Sequence, residues 1–166
     1  YFDILRKFET EKELGLKYVF PEELLKNSDI ISYHVPKTTF TRQIINQTSL
    51  KMMRPDALLI NASRGDVQDE SAIYEALSSG QISAAGLDVF EVEPLPESSP
   101  LRQLKNVVLT PHSAPDRECY VRSVSHALEN LLKVSKGGTP QSLAVDHEKE
   151  TRKFLERFPD VEFSPS

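Results

Sequence analysis

The sequence predicts an α/β domain built on a parallel sheet, and three observations carry that prediction. Short β-branched runs alternate with segments of helical periodicity, the pattern of repeated strand–helix–strand units. The runs DIISYHV, ALLINAS and VVLTP are almost continuously apolar, as strands covered on both faces are. Loops of small residues and proline follow several of these runs, and in parallel sheets such loops carry the ligands.

Taken in order, the candidate strands are residues 1–5, 17–20, 29–35, 57–63, 84–90 and 107–111. Helices fill the gaps. PEELLKNS opens with Pro21, whose missing N–H costs nothing in a first helical turn. TSLKMMRP has Thr48 or Ser49 as its N-cap and is stopped by Pro55. In DESAIYEALSSG, Asp69 is the N-cap, Ile73 and Leu77 share one face, and Gly80 ends the helix. The longest helix is expected over 116–136, where Val121, Val124, Leu128, Leu131 and Leu132 recur at helical spacing. Beyond Gly137-Gly138 the pattern fades. HEKETRKFLERF forms at most a short helix with a thin stripe of Phe154, Leu155 and Phe158, and PDVEFSPS reads as a frayed end.

Composition narrows the partners. A charge of −5 over 166 residues, with no dense basic stretch, argues against nucleic acid or an anionic membrane. No apolar run approaches the length of a membrane span, and no signal peptide opens the chain. A single cysteine, Cys119, excludes an internal disulfide framework and points to the cytoplasm. No histidine, cysteine or carboxylate group has metal-ligand spacing, so no metal is expected.

Three residues stand just past predicted strands. His112 lies in TPHSAP, where it either moves protons near pH 7 or is satisfied by local hydrogen bonds. Arg64 follows LLINAS and either grips a carboxylate bidentately or pairs on the surface with Asp66 or Asp69. Glu93, in DVFEVEP, either tunes a neighbour or is a solvated carboxylate. One edge of one sheet holds all three. A histidine, a carboxylate and an arginine together suit proton-coupled chemistry on a hydroxy or keto acid.

The runs HVPKTTFT, LLINASRGDVQDESAIYEAL, GLDVFEVEPLP and LKNVVLTPHSA resemble the successive signature blocks of the D-isomer-specific 2-hydroxyacid dehydrogenases, in order and spacing, across about residues 29–114. The resemblance implies an NAD-dependent oxidoreductase of D-2-hydroxy or 2-keto acids on a Rossmann-like parallel sheet. By the same resemblance Arg64 binds the substrate carboxylate, Glu93 hydrogen-bonds the catalytic histidine and raises its pKa, and His112 is the general acid/base. Asp3 would accept hydrogen bonds from the adenosine ribose, which favours NAD over NADP, although Arg6 and Lys7 follow it closely. Val35, Pro36 and Thr41 would line the adenosine and pyrophosphate side. Ala62 and Ser63 would lie against the nicotinamide ribose, Asp88 would hold the carboxamide, and Arg64, His112 and Ala114 would complete the cofactor contacts. His34 is expected to be structural, near a subunit contact, and His126 to pack or face solvent.

The family's GxGxxG loop has no counterpart among the six glycines. Its acidic partner normally lies about 20 residues beyond the loop, so the loop would precede Tyr1. The resemblance therefore implies an incomplete sheet whose first, central strand is missing, leaving a gap of about 9 to 10 Å between strands. Three parts are expected: a partial NAD-binding domain over 1–114, a C-terminal helix over 115–140, and a tail over 141–166. Such a piece is expected to be inactive alone, and the full-length form to be a homodimer. Two alternatives stand beside it, a non-catalytic NAD-binding module of the co-repressor type and a degenerate gene product.

Overall fold

Four parallel strands form one sheet in the order of their appearance: β1 (Ile30–Tyr33), β2 (Leu58–Asn61), β3 (Ala84–Leu87) and β4 (Val107–Leu109). The computed structural model describes residues 1–113, 117–140 and 146–161. Registered partners run Ile31 to Leu59 to Ala85 to Val107, so the strands end together at one carboxyl edge. The later four predicted strands are thus present, each shorter than its apolar run. Residues beyond the last ladder bond belong to the loops that carry the site.

Helices α2 (Pro21–Asn27), α3 (Gln47–Met52) and α4 (Glu70–Ser78) supply the layer against the sheet, after a first helix, α1 (Phe8–Leu14), that the sequence did not announce. Leu25, Leu50, Ile73 and Leu77 from those helices meet Ile31, Leu59 and Leu87 of the sheet in one buried core. Pro21 opens α2 as expected. The cap of α3 is Asn46, not Thr48 or Ser49: its side chain accepts from the N–H groups of both those residues, and the Ser49 hydroxyl accepts in return from the N–H of Asn46. A reciprocal box of this kind satisfies three otherwise orphaned donors, which a single threonine cap cannot do. For α4, Asp69 accepts from the N–H of Ala72, and Gly80 follows with a φ of 73°.

Two further expectations fail. Residues 1–5 and 17–20 are not strands, and the chain bends at Ile4 and Leu5. The Tyr1 amino group donates to the Lys17 carbonyl and the Val19 N–H to the Tyr1 carbonyl, one parallel-type pair with no continuing ladder. Aromatic rings hold them instead: Tyr18 packs against Tyr1, Phe2 and Phe20 at 5.6 to 5.9 Å between centroids. The strands are also not covered on both faces. Ile31, Leu59, Ala85 and Leu87 are buried, while Ile30, Leu58, Ile60 and Val108 are 37 to 67% exposed. A run apolar at every position predicts two buried faces; within the described residues one face is buried.

Among the described residues no strand pairs with the outer edge of β1. A cavity of about 720 Å³ opens there, lined by Tyr1, Phe2 and Asp3 on one side and by Ile30 to Tyr33 on the other. Its walls are completed by α6 (His147–Arg157), which packs in the same compact unit as residues 1–112. Phe154 of α6 is buried and meets Phe2 edge-on at 5.7 Å, and Phe158 meets Phe20 at 5.8 Å. The stripe that looked thin in sequence is sufficient because its partners are rings.

Residues 113–146 form a second unit, dominated by α5 (Arg117–Ser135). Val121, Val124, Leu128, Leu131 and Leu132 lie along it and are 42 to 66% exposed. Gly137 ends the helix with a φ of 78°.

Candidate active site

The site is built where parallel strands stop. After β2 the chain runs through Ala62 and Ser63 to Arg64, after β3 through Asp88 to Glu93, and after β4 through Thr110 to His112. All three candidate catalytic residues therefore stand at the same carboxyl edge. The His112 ring nitrogen Nδ1 is 2.8 Å from Glu93 Oε2. Glu93 Oε1 accepts at 3.0 Å from the N–H of Phe90, which fixes the carboxylate from the other side. Both hydrogen bonds favour the charged form, and they hold the Glu93 carboxyl below its ordinary value, the His112 bond being the larger cause. His112 itself adopts a φ of 53°, and its N–H donates to the Asp88 carbonyl at 2.8 Å. A non-glycine residue in the left-handed region costs energy, and such outliers cluster at functional sites. With Nδ1 committed to Glu93, Nε2 is the nitrogen left for another partner.

Arg64 is exposed, with Nη1 donating to the Ser63 carbonyl at 2.6 Å. It does not pair with either aspartate that the sequence offered. Lys37 holds Asp66 at 2.6 Å, and Asp69 caps α4. Gly65 explains how Arg64 comes close to the Glu93 loop. A Cβ there would lie 1.8 Å from the Phe90 carbonyl oxygen, so only glycine lets the two loops touch.

A buried polar network beneath these loops escaped sequence reasoning. Asn61 and Gln68 are fully buried. Asn61 donates to Gln68 Oε1 at 2.8 Å and to the Arg64 carbonyl at 3.2 Å, while its own oxygen accepts from the Ser63 N–H and hydroxyl. Gln68 in turn donates to the Val89 carbonyl at 3.0 Å, tying the end of β2 to the end of β3. The available signal was the lone amide in LLINAS, since a polar side chain closing an apolar strand must find partners when buried. Asp88 is buried as well, and the Thr110 hydroxyl donates to its Oδ1.

The remaining predicted residues fall in a second group. Asp3, Val35, Pro36 and Thr41 all line the 720 Å³ cavity, and His34 joins them. Asp3 is not at the end of a strand; its Oδ1 accepts from the Leu5 N–H in a turn. The Thr41 hydroxyl donates to the Pro36 carbonyl at 2.7 Å and accepts from the Thr38 N–H at 2.8 Å, which closes the 36–41 loop on itself. Ala62 is exposed and Ser63 buried beside Asn61. Ala114 lies outside the described residues. Among the described residues no group of histidines, cysteines and carboxylates could hold a metal, and no helix is long and apolar enough to cross a membrane.

A parallel sheet with acid–base and guanidinium groups along one carboxyl edge has the α/β architecture in which ligands bind at the strand ends. Residues 1–114 match the model of the D-isomer specific 2-hydroxyacid dehydrogenase NAD binding domain. The chain belongs to that family. It is 46% identical over 144 residues to a glyoxylate reductase of Korarchaeum cryptofilum, covering 86% of this chain and 43% of the relative. It is 38% identical over 130 residues to a D-3-phosphoglycerate dehydrogenase of Archaeoglobus fulgidus, covering 78% of this chain and 25% of that protein. Among solved structures, D-lactate dehydrogenase with NAD+ from Lactobacillus jensenii superposes with a TM-score of 0.74 at 30% identity, covering 87% of this chain and 47% of that one. The D-mandelate dehydrogenase of Rhodotorula graminis reaches 0.79 at 32% identity, covering 88% and 43%. The chain thus spans less than half the length of these relatives.

Proposed function

We propose that the protein to which this chain contributes interconverts D-2-hydroxy acids and 2-keto acids with NAD, using Arg64, Glu93 and His112. The observation that carries the reading is the 2.8 Å bond between His112 Nδ1 and Glu93 Oε2 at the edge that also presents Arg64. Glu93 fixes the ring and stabilises it when protonated, so Nε2 can take the hydroxyl proton of a hydroxy acid or return it to a keto oxygen. Arg64 offers a planar fork for the substrate carboxylate. NAD, when bound, would supply the two-electron chemistry, accepting hydride from C2 of the hydroxy acid while the hydroxyl proton goes to His112 Nε2.

The residues present fit that cofactor's two ends. Asp3, Val35, Pro36 and Thr41 stand together beside the open edge of β1, where the adenosine side of the cofactor would lie. Buried Asp88 and Ser63 stand at the strand ends near the triad. Asp3 disfavours a 2′-phosphate, and Arg6 is in no position to offset it, because its guanidinium is committed to Glu11 by hydrogen bonds of 2.8 and 2.9 Å. NAD is therefore preferred to NADP, although an NADPH complex is known for a Xanthobacter autotrophicus relative at 37% identity. The substrate is a small 2-hydroxy acid, the full-length form is a homodimer, and the compartment is the cytoplasm. This chain alone gives no turnover.

The test is NADH formation by the complete protein across D-lactate, D-glycerate and glycolate. His112→Ala should lower kcat by about 10²- to 10⁴-fold with little change in NADH affinity. Arg64→Ala should cost about 3 kcal/mol in kcat/KM, the worth of two charge-assisted hydrogen bonds. Full activity in either variant removes that residue from the mechanism.

A further inference from the structure

The carboxylate that orients His112 hangs on a stretch of backbone that is neither strand nor helix. Glu93 Oε1 accepts from the Phe90 N–H while Oε2 meets His112, so a shift of Phe90 carries the carboxylate with it. Residues 88–94 follow β3 with no ladder or helical turn of their own. Their position must come from groups outside the segment. Gln68 holds the Val89 carbonyl at 3.0 Å, and Gly65 leaves room for the Phe90 carbonyl.

A third support lies on the first turn of α4. Glu70 Oε1 accepts from the Glu91 N–H at 2.6 Å, and Glu91 Oε1 accepts from the Glu70 N–H at 2.9 Å. Each carboxylate is closed on the backbone of the other residue, across 21 positions of chain. The Glu70 N–H is one of the first donors of α4, which have no partner within the helix, and the Asp69 cap accepts from Ala72 instead. Glu91 fills that vacancy. Bringing two carboxylates together is unfavourable, and the amides offset it. Burial first, and then the nearby Glu91, push the Glu70 carboxyl above its ordinary value, against the bonds from the Glu91 N–H and from Gln68. Freely solvated side chains would swing apart and lose that strain; these two are held.

We propose that Glu70 is a positioning residue for the reaction: with Glu91 it clamps the 89–91 backbone to the start of α4 and so fixes the reach of Glu93 to His112. The path is continuous. It runs from the Glu70 carboxylate to the Glu91 N–H, one residue back to the Phe90 N–H, then through the Glu93 carboxylate to His112 Nδ1. Without the bond to Glu70 the Phe90–Glu91 peptide can rock, and Glu93 rocks with it. The proposal rests on the reading of His112 as the acid/base, but the clamp itself does not.

The experiment compares Glu70→Ala, Glu70→Gln and Glu91→Ala. Imidazole NMR shifts of His112 are recorded in the 166-residue chain, and kcat and KM for D-lactate, D-glycerate and glycolate in the complete protein. Glu70→Ala should move the His112 shifts and lower kcat about tenfold with KM unchanged, because Arg64 still holds the substrate. Glutamine keeps an acceptor for the Glu91 N–H, so Glu70→Gln should restore both. Glu91→Ala, at an exposed position, removes only the second bond and should lower kcat about threefold; if Glu70→Ala fails to fold, this variant decides alone by the same readouts. Unmoved His112 shifts with full kcat in the alanine variants overturn the proposal, even where urea unfolds them sooner, and so does a loss in Glu70→Gln as large as in Glu70→Ala. Moved shifts in the variants, with no turnover by the complete wild-type protein on any hydroxy acid, leave the clamp standing and sink the catalytic reading.

Discussion

At the carboxyl ends of β2 and β3 the chain is fixed by buried amides, whereas along residues 1–20 it is fixed by aromatic rings and surface ion pairs. In the first region Asn61 and Gln68 are fully buried, and their side chains bond one another, the Arg64 carbonyl and the Val89 carbonyl past the end of β3. In the second, Tyr18 touches three rings, Arg6 lies 4.8 Å over the same ring, and α1 buries none of its residues. Buried polar networks specify position sharply, because a displaced partner leaves an unpaired group in low dielectric. Ring contacts are non-directional by comparison and tolerate sliding. A site that must hold a histidine within hydrogen-bond distance of a carboxylate needs the first kind of support.

The largest effect should come from Gly65→Ala. A Cβ 1.8 Å from the Phe90 carbonyl oxygen cannot be accommodated without moving backbone, and we expect a loss of more than about 3 kcal/mol. Urea unfolding measures it, and an unchanged midpoint would mean that the two loops are not in contact. Asn61→Ala comes next, at about 2 kcal/mol, because it strands the Gln68 oxygen and the Ser63 N–H in the interior. The His112–Glu93 bond should loosen with it, visible in the imidazole NMR shifts.

Tyr18→Ala should cost about 1 kcal/mol in global stability, with faster amide exchange confined to residues 1–20. An equal rise in exchange at Asn61 would show that the two regions are one cooperative unit and would erase the contrast. The smallest effect is acid. Hydrogen bonds from Arg6 and Tyr1 pull the Glu11 carboxyl from 4.5 to about 2, and the bond from His112 lowers that of Glu93. A depressed carboxyl stabilises the fold fully above its ordinary value and loses that contribution as pH falls through the folded one. The Tyr1 and Tyr18 ring signals should therefore persist below pH 4.5 and collapse only near pH 2. Collapse at pH 4 would show that Glu11 is not held by Arg6.

The contrast also explains what was legible in the sequence. β1 to β4 and Asp69 at the start of α4 could be read because β-branched runs and caps act locally. His112, Glu93 and Arg64 could be placed on one edge because they follow strands of one parallel sheet. Residues 1–5 and 17–20 misled because β-branched and aromatic residues are enriched in strands whether or not a neighbour exists to pair with them. Asn46, Thr48 and Ser49 all favour caps, and only the reciprocal bond decides among them. The Asn61–Gln68 network joins residues seven apart to a carbonyl at position 89, a three-body arrangement that periodicity does not encode.

The sheet's order, β1 next to β2 next to β3 next to β4, has a consequence for synthesis. Registered partners such as Ile30 with Leu58, Leu58 with Ala84, and Ala85 with Val107 are 28, 26 and 22 residues apart. Loop-closure cost grows only logarithmically with length, so the three pairings carry nearly the same entropic penalty. Each strand leaving the ribosome finds its neighbour already made, and none waits for a later one. The sheet can therefore accrete vectorially, one strand per helical interval, with the edge that receives His112 laid down last. Arrested nascent chains of increasing length, probed by pulse proteolysis, should gain protection in three steps rather than one.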